Sequence, residues 1–263
     1  MSSTSTSTSP LAVTLVDGVL ELRLDRPDAL NALDPGLGRA LRDALEAAAD
    51  DPTVRVVVVS ASGRAFCSGW DLRAQGGLAE GESILGDIVN PAVLALREMP
   101  KPVVARVQGV AAGVGVSLAA ASDFVVAGES ASFLLAFARV GLSGDGGITA
   151  TLPARVGIGR AAQMMTFAEK VPASDAAEWG LVDRVVPDAD LDATTTALAE
   201  RLAGGPTRSY AATKALLNAS VLPALREQLA REATTWAELR ESADHREGKL
   251  AFVEKRRPVF TGS

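Results

Sequence analysis

Two glycine-bearing loops, each following a strand-like run, carry the residues best able to do chemistry. The first is Ser68-Gly69-Trp70-Asp71-Leu72. The second, Gly113-Val114-Gly115-Val116-Ser117, leads from the run Val103-Val104-Ala105-Arg106-Val107 into an alanine-rich helix with Ser117 in its first turn. A strand that turns tightly into a helix leaves backbone N–H groups without acceptors and adds the positive end of a helix dipole, so it favours negative charge. Glycine lets a ligand come close to that backbone. One N–H from each loop aimed at one oxygen would make an oxyanion hole. The competing reading is close strand-to-helix packing, which would account for Gly69 or Gly113 alone. A third feature is Asp145, flanked by Gly144 and Gly146 ahead of a helix. Local grammar favours a helix cap there, with a catalytic carboxylate as the alternative.

Other chemistries fail on residue inventory. Gly113-Val114-Gly115-Val116-Ser117-Leu118 has leucine where the third glycine of a dinucleotide fingerprint belongs. Gly141-Leu142-Ser143-Gly144-Asp145 misses the last glycine of a nucleophile elbow, and His245 is the only imidazole. In the polar run Asp244-His245-Arg246-Glu247, that histidine reads as solvated. Cys67, between Phe66 and Ser68, reads as a packed thiol. One cysteine and one histidine allow neither an internal disulfide nor a zinc cluster. A net charge of -6 with no basic tract argues against nucleic acid as main partner. No run approaches the roughly 18 apolar residues of a membrane span. The opening MSSTSTSTSP lacks the basic start and apolar core of a secretory signal, so residues 1–10 read as a disordered tail on a cytoplasmic protein.

The elements that must position these residues follow from periodicity. Residues 12–24 alternate around Asp17-Gly18, a hairpin signal. Asp34-Pro35 is an N-cap followed by proline at the first helical position, and Leu37, Leu41, Leu45 and Ala48 mark one face of the helix. Val54 to Val59 reads as a strand buried on both faces. Residues 76–86 are polar and glycine-rich, as in a mobile loop over a site. A helix over 88–98 leads to the strand at 103. Strands are expected at 124–127 and 182–186, with the segment 131–135 between them, a helix past Pro153, and a short helix capped by Ser174-Asp175 and stopped at Gly180. Beyond Pro187 the pattern is helical: 191–202, 207–219, 223–241 and 244–255. An α/β core over 11–190 with a helical region over 191–263 follows.

Several segments together resemble the crotonase, or enoyl-CoA hydratase/isomerase, superfamily. They are LDRPDALNAL (24–33), AFCSGWDL (65–72), KPVVARVQGVAAGVGVSLAAASDFVVAG (101–128), VGLSGDGG with LPARVG (140–147 and 152–157), AAEWGLVDRVVP (176–187) and DHREGKLAFVEKRRPVF (244–260). The resemblance implies a spiral of ββα turns with a C-terminal helical trimerisation region, assembled as a homotrimer or a dimer of trimers. It also implies an acyl-CoA thioester substrate, with coenzyme A arriving as part of the substrate and no permanently bound cofactor. The enolate donors would be the N–H groups of Trp70 and Val114, in the Ser-Gly-Trp-Asp and Gly-Val-Gly motifs. Asp28, Ala29 and Leu30, together with Ser68, Gly69, Asp71 and Leu72, match positions that hold CoA, and Gly113 lies beside the bound thioester. Lys255 and Arg256 lie in the tail that reaches CoA phosphates, including those of a neighbouring subunit.

This chain departs from the hydratase pattern. Hydratases of the family use two glutamates, and by motif position these fall at Ser117 and Phe137. A serine hydroxyl is a poor base near neutral pH, and phenylalanine has no exchangeable proton. Asp145 lies where family members that isomerise double bonds, and some dehalogenases and naphthoate synthases, place a functional aspartate. An isomerase needs one carboxylate that removes a proton and returns it two carbons away, so the expected activity is enoyl-CoA isomerisation, with Phe137 and Trp70 as apolar walls. The alternatives are a hydratase-like lyase, hydrolysis or dehalogenation of a CoA thioester, and a non-catalytic acyl-CoA-binding module.

Overall fold

The computed structural model describes residues 9–71 and 77–263. The chain opens with β1 (Leu11–Val16) and β2 (Val19–Leu24), an antiparallel hairpin turning on Asp17 and Gly18 at φ 48° and 82°. The Pro10 carbonyl already accepts from Asp25 N–H at 2.9 Å, so the chain is tied to the hairpin at the last residue of the expected tail. α1 (Pro35–Asp50) starts as its sequence dictates: the Asp34 side chain accepts from Leu37 N–H, and Leu37, Leu41, Leu45 and Ala48 are buried.

The middle of the chain repeats one unit. β3 (Val56–Ala61) is followed by β4 (Ala65–Cys67), and α2 (Asn90–Glu98) leads to β5 (Val103–Val107). Then come β6 (Val110–Ala112), α3 (Val114–Ala121), β7 (Phe124–Gly128) and β8 (Ser132–Leu134). The longer strands enter one six-stranded sheet and the shorter ones a second, four-stranded sheet, so each turn of the spiral contributes a strand to both. After α4 (Ile148–Val156) and α5 (Ile158–Phe167) come β9 (Val171–Pro172), α6 (Ala173–Trp179) and β10 (Arg184–Val186). The sheets run β1-β2-β3-β5-β7-β10 and β4-β6-β8-β9. From β2 to β10 the large sheet pairs in parallel, which requires crossovers and favours a sheet covered on both faces. The helical segment is α7 (Leu191–Ala203), α8 (Thr207–Val221), α9 (Leu225–Arg240) and α10 (Ala243–Glu254).

Strand periodicity explains the uninterrupted valines of β3. Val57 and Val59 face the main core with Leu37, Leu41 and Leu45, whereas Val56 and Val58 pack with Leu191, Ala199 and Leu202 of α7. Both faces are apolar because both are covered. All eight residues of α3 are buried. Its small side chains permit this: a Cβ on Gly115 would stand 2.4 Å from the Cys67 carbonyl oxygen. Close packing is therefore the role of Gly115.

Three local expectations change. Within the 76–86 segment, Gly76, like Leu72, lies outside the described residues, and Ile84–Val89 forms a π-helical turn that runs into α2. Its first turn is held by Ser83, whose hydroxyl accepts from Gly86 N–H. α6 begins at Ala173, after Pro172, with no side-chain cap, so Ser174 and Asp175 lie inside its first turn rather than capping it. His245 is half-buried, and its Nδ1 lies 2.8 Å from the Val140 carbonyl oxygen. A neighbouring glycine makes that docking possible, since a Cβ on Gly248 would meet Val140 Cα at 2.7 Å. α10 thus buttresses the 3-10 turn Phe137–Val140.

A buried cation ties α8 to the core. Lys214 donates to the carbonyls of Leu96 and Lys101 and pairs with Asp123 at 2.7 Å, while Arg97 also reaches Asp123. Burial outweighs the attraction of Asp123 and lowers the ammonium pKa to about 8.

Candidate active site

The two glycine loops meet. Gly69 and Gly113 both take positive φ, 104° and 51°. A Cβ on Gly69 would lie 3.2 Å from the Ala112 carbonyl oxygen and 3.9 Å from Gly113 Cα, and one on Gly113 would lie 3.7 Å from Gly69 Cα. At Gly69 a side chain would crowd the Ala112 carbonyl, whereas at Gly113 a Cβ would meet only ordinary contacts and it is the positive φ that favours glycine. Packing and donor placement are therefore two consequences of one arrangement.

The residues after these glycines carry free donors. Trp70 forms a parallel bridge with Leu33, in which Leu33 N–H donates to Gly69 and Asp71 N–H donates to the Leu33 carbonyl, at 2.8 Å each. In such a bridge the partner residue uses neither its own N–H nor its own carbonyl, so the Trp70 amide points away from Leu33. Val114 is the first residue of α3, too early for an acceptor within the helix. Among the described residues neither amide has a hydrogen-bond acceptor. Phe137 walls the same place: its ring lies 3.9 Å from where a Gly113 Cβ would be, and it is 8% exposed.

Asp145 lies against the next turn of α3. Ser117, one helical turn after Val114 and fully buried, donates its hydroxyl to the Asp145 carbonyl at 2.9 Å. A Cβ on Gly146 would come within 3.1 Å of Ser117 Cβ and 3.2 Å of Val89, so the chain at 145–146 lies directly against α3 and the 84–89 turn. The Asp145 side chain is 8% exposed and its Oδ1 is buried with no hydrogen-bond partner. Burial, and secondarily the charge of Glu232, pushes this carboxyl up to about 7. The helix-cap reading of Asp145 fails, because α4 is preceded by Gly147 and takes no cap from Asp145.

Glu232 does that work instead. From α9, 4% exposed, its carboxylate accepts from Gly147 N–H at 2.6 Å and Thr149 N–H at 2.9 Å, and also from the Thr149 hydroxyl. Sequence reading missed it because Glu232 sits in an ordinary helical run, and no local pattern marks a contact more than eighty residues away. Asn31 was likewise passed over. It is fully buried at φ 54°, donates to the Ser62 and Ala65 carbonyls at 2.8 Å each, and accepts from Arg26 N–H.

That asparagine holds the expected CoA loop in place. Pro27–Ala29 form one 3-10 turn closed by Leu30 in the left-handed conformation. Ser68 N–H donates to the Leu30 carbonyl at 3.1 Å, which brings Asp28, Ala29 and Leu30 beside Ser68 and Gly69. The Asp71 carboxylate faces the guanidinium of Arg26, which also pairs with Asp34. Leu72 lies outside the described residues. No hydrogen bond or ion pair among the described residues joins Lys255 or Arg256 to these loops. Arg256 is instead held by Glu247 and Glu254, at 2.5 and 2.6 Å. Cys67 is fully buried and its thiol is pushed up to about 11, which leaves it inert as a nucleophile.

Ser117→Ala tests how firmly the Asp145 backbone is held. Losing the hydroxyl leaves the buried Asp145 carbonyl with only the long 3.4 Å contact from Ile148 N–H. The expected cost is about 1–2 kcal/mol of stability in denaturant unfolding and, if Asp145 takes part in catalysis, roughly a tenfold loss of kcat from its looser placement. A loss of several hundredfold would give Ser117 a direct part in proton transfer.

The model of the family described as enoyl-CoA hydratase/isomerase matches residues 15–263. The chain is 45% identical to the probable enoyl-CoA hydratase of Rhodobacter capsulatus, over 94% of this chain and 95% of that protein. It is 38% identical to the 1,2-epoxyphenylacetyl-CoA isomerase of Escherichia coli K12, over 93% and 95%. A crystal structure of an enoyl-CoA hydratase from Mycobacterium avium subsp. paratuberculosis superimposes with TM-score 0.88 at 43% identity, covering 96% of this chain and 98% of that one.

Proposed function

Because the chain belongs to the enoyl-CoA hydratase/isomerase family, we propose that it is an enoyl-CoA double-bond isomerase. In this reading Asp145 moves the proton, and the Trp70 and Val114 amides hold the thioester oxygen. The observation that carries it is the Asp145 carboxylate, buried, unpartnered and held near neutral titration beside the first turn of α3, where Ser117 and Phe137 stand in place of carboxylates. The relatives' names point both ways, one to a hydratase and one to an isomerase.

The thioester oxygen accepts from Trp70 and Val114 N–H, backbone donors fixed by the Leu33 bridge and the start of α3, so little reorganisation accompanies the gain of negative charge. Asp145, as the carboxylate, removes a proton from the carbon next to the thioester of a 3-enoyl chain, and the electron pair spreads over a dienolate. The carboxylic acid then returns that proton to the carbon two positions further along, giving the 2-enoyl product with no net gain or loss of atoms. A group titrating near 7 serves both half-reactions at neutral pH. Trp70 and Phe137 keep water from the intermediate. Gly113 leaves room for the thioester against the backbone, and residues 28–30 with 68–71 cradle the nucleotide end of CoA, which comes and goes with the substrate. Asp71, already paired with Arg26, contributes through its backbone. We further propose a cytoplasmic homotrimer or dimer of trimers. In that assembly Lys255 and Arg256 serve a neighbouring protomer's CoA once phosphate replaces Glu247 and Glu254.

A panel of 3-enoyl, 2-enoyl and aryl acyl-CoA thioesters tests the proposal. The expected result is conversion of 3-enoyl to 2-enoyl chains with little 3-hydroxyacyl-CoA formed. Faster hydration than isomerisation, release of free CoA or halide, or tight binding without turnover of any substrate would each replace this reading with a different one.

A further inference from the structure

We infer that Glu232 is a positioning residue for Asp145: from α9 it occupies the amides that open α4 and sets a second buried carboxylate beside the base, so that Asp145 is left without a donor. This rests on Asp145 as the base of the proposed reaction and adds the group that makes it one.

A helix start a few residues beyond an aspartate ordinarily stabilises its anion, through free N–H groups and the dipole. Here that stabilisation is spent elsewhere. Gly147 N–H, Thr149 N–H and the Thr149 hydroxyl all point at Glu232, and Gln228 fixes the Thr149 hydroxyl from the same helix at 2.8 Å. Asp145 Oδ1, two residues before Gly147, has nothing.

Among the described residues no cation relieves the pair. On α4, Arg155 is turned to the carbonyls of Ala120, Ser122 and Asp123 and to Asp183. On α9, Arg226 pairs with Glu98 and Arg231 with Glu227. The 84–89 turn and α2 present Val89, Asn90 and Val93, and the one acid of the turn, Asp87, accepts from Ser83 N–H. α3 presents Ser117. Among the described residues, Glu232 is the only charge acting on Asp145, and it acts in the same direction as burial. Burial also raises Glu232 itself, against the pull of its Thr149 and Gly147 donors.

The test is Glu232→Gln, read two ways. The Asp145 carboxyl is titrated by 13C NMR of aspartate-labelled protein without substrate, with Asp145→Asn to assign the resonance, and kcat/KM is measured against pH. Both midpoints should fall by about one pH unit in Glu232→Gln as the like charge is removed. Gln228→Ala, which loosens the α9 to α4 contact but keeps the charge, should lower the melting temperature and leave both midpoints in place. A folded Glu232→Gln with an unmoved Asp145 titration overturns the inference, as does an equal shift in Gln228→Ala. If the resonance moves while the kinetic midpoint does not, the link between the carboxylates stands and it is the reading of Asp145 as base that falls. Should Glu232→Gln fail to fold, Thr149→Val removes one donor from Glu232, makes it less charged, and should shift Asp145 the same way by a smaller amount.

Discussion

Asp145→Asn should sharply lower turnover and raise the melting temperature, the two effects expected together if Asp145 is the base of the proposed reaction, kept at a cost in stability. The expected loss in kcat is about 10³–10⁴-fold, with substrate binding retained, because the carboxamide fills the same space and cannot accept a proton from carbon. The stability effect has a definite sign. A carboxyl raised from its ordinary value to about 7 binds more protons in the folded than in the unfolded chain between pH 4 and 7. Its contribution therefore falls as pH rises through that window, and the penalty is fully present above pH 7. Roughly 4 kcal/mol is at stake, equivalent to several degrees in a chain of this size. Melting curves should show the Asn variant ahead of the parent at pH 8 and level with it near pH 4. In the parent, kcat/KM should fall tenfold per pH unit below about 7. An active Asn variant, or equal melting temperatures at pH 8, would sink the assignment.

Under the proposed mechanism Val114→Pro removes one of the two oxyanion donors, and should lower kcat by about 10²–10³-fold. Proline is tolerated at the first helical position, where its missing N–H has no partner in the helix. The residue before it is Gly113 at φ 51°, ψ −124°, the mirror image of the extended conformation a pre-proline residue prefers, and open to glycine. Val114→Ala is the matched control, since it trims the buried side chain and keeps the amide. Rates for the alanine variant should stay within about threefold of the parent, and for the proline variant should drop without a rise in KM, as expected for an interaction made in the transition state. If proline and alanine behave alike, the oxygen is held by something other than Val114.

Local sequence determined a good deal of this protein. The Asp17-Gly18 hairpin, the Asp34-Pro35 start of α1, the buried face of Leu37, Leu41 and Leu45, and the two-faced strand β3 are each set by short-range chemistry: turn residues, a cap, and periods of 3.6 and 2. The glycines of the two loops were visible for the same reason, since a positive φ or a close approach leaves its mark on the residue that adopts it. Where two local signals competed, the reading erred. Ser174 and Asp175 have the right types for a cap, but Pro172 had already started the helix.

Tertiary structure decided what each polar group does. Asp145 has a cap-like sequence context, and only the packing of α3, the 84–89 turn and α9 around it shows that it caps nothing and stays unpartnered. Ser117 turned out to brace that aspartate's backbone, Glu232 to take the α4 amides in its place, and His245 to dock on Val140. Hydrogen bonds and desolvation depend on which groups meet across tens of residues. No periodicity records them, whereas the backbone preferences that build each strand and helix are written within a few residues of where they act.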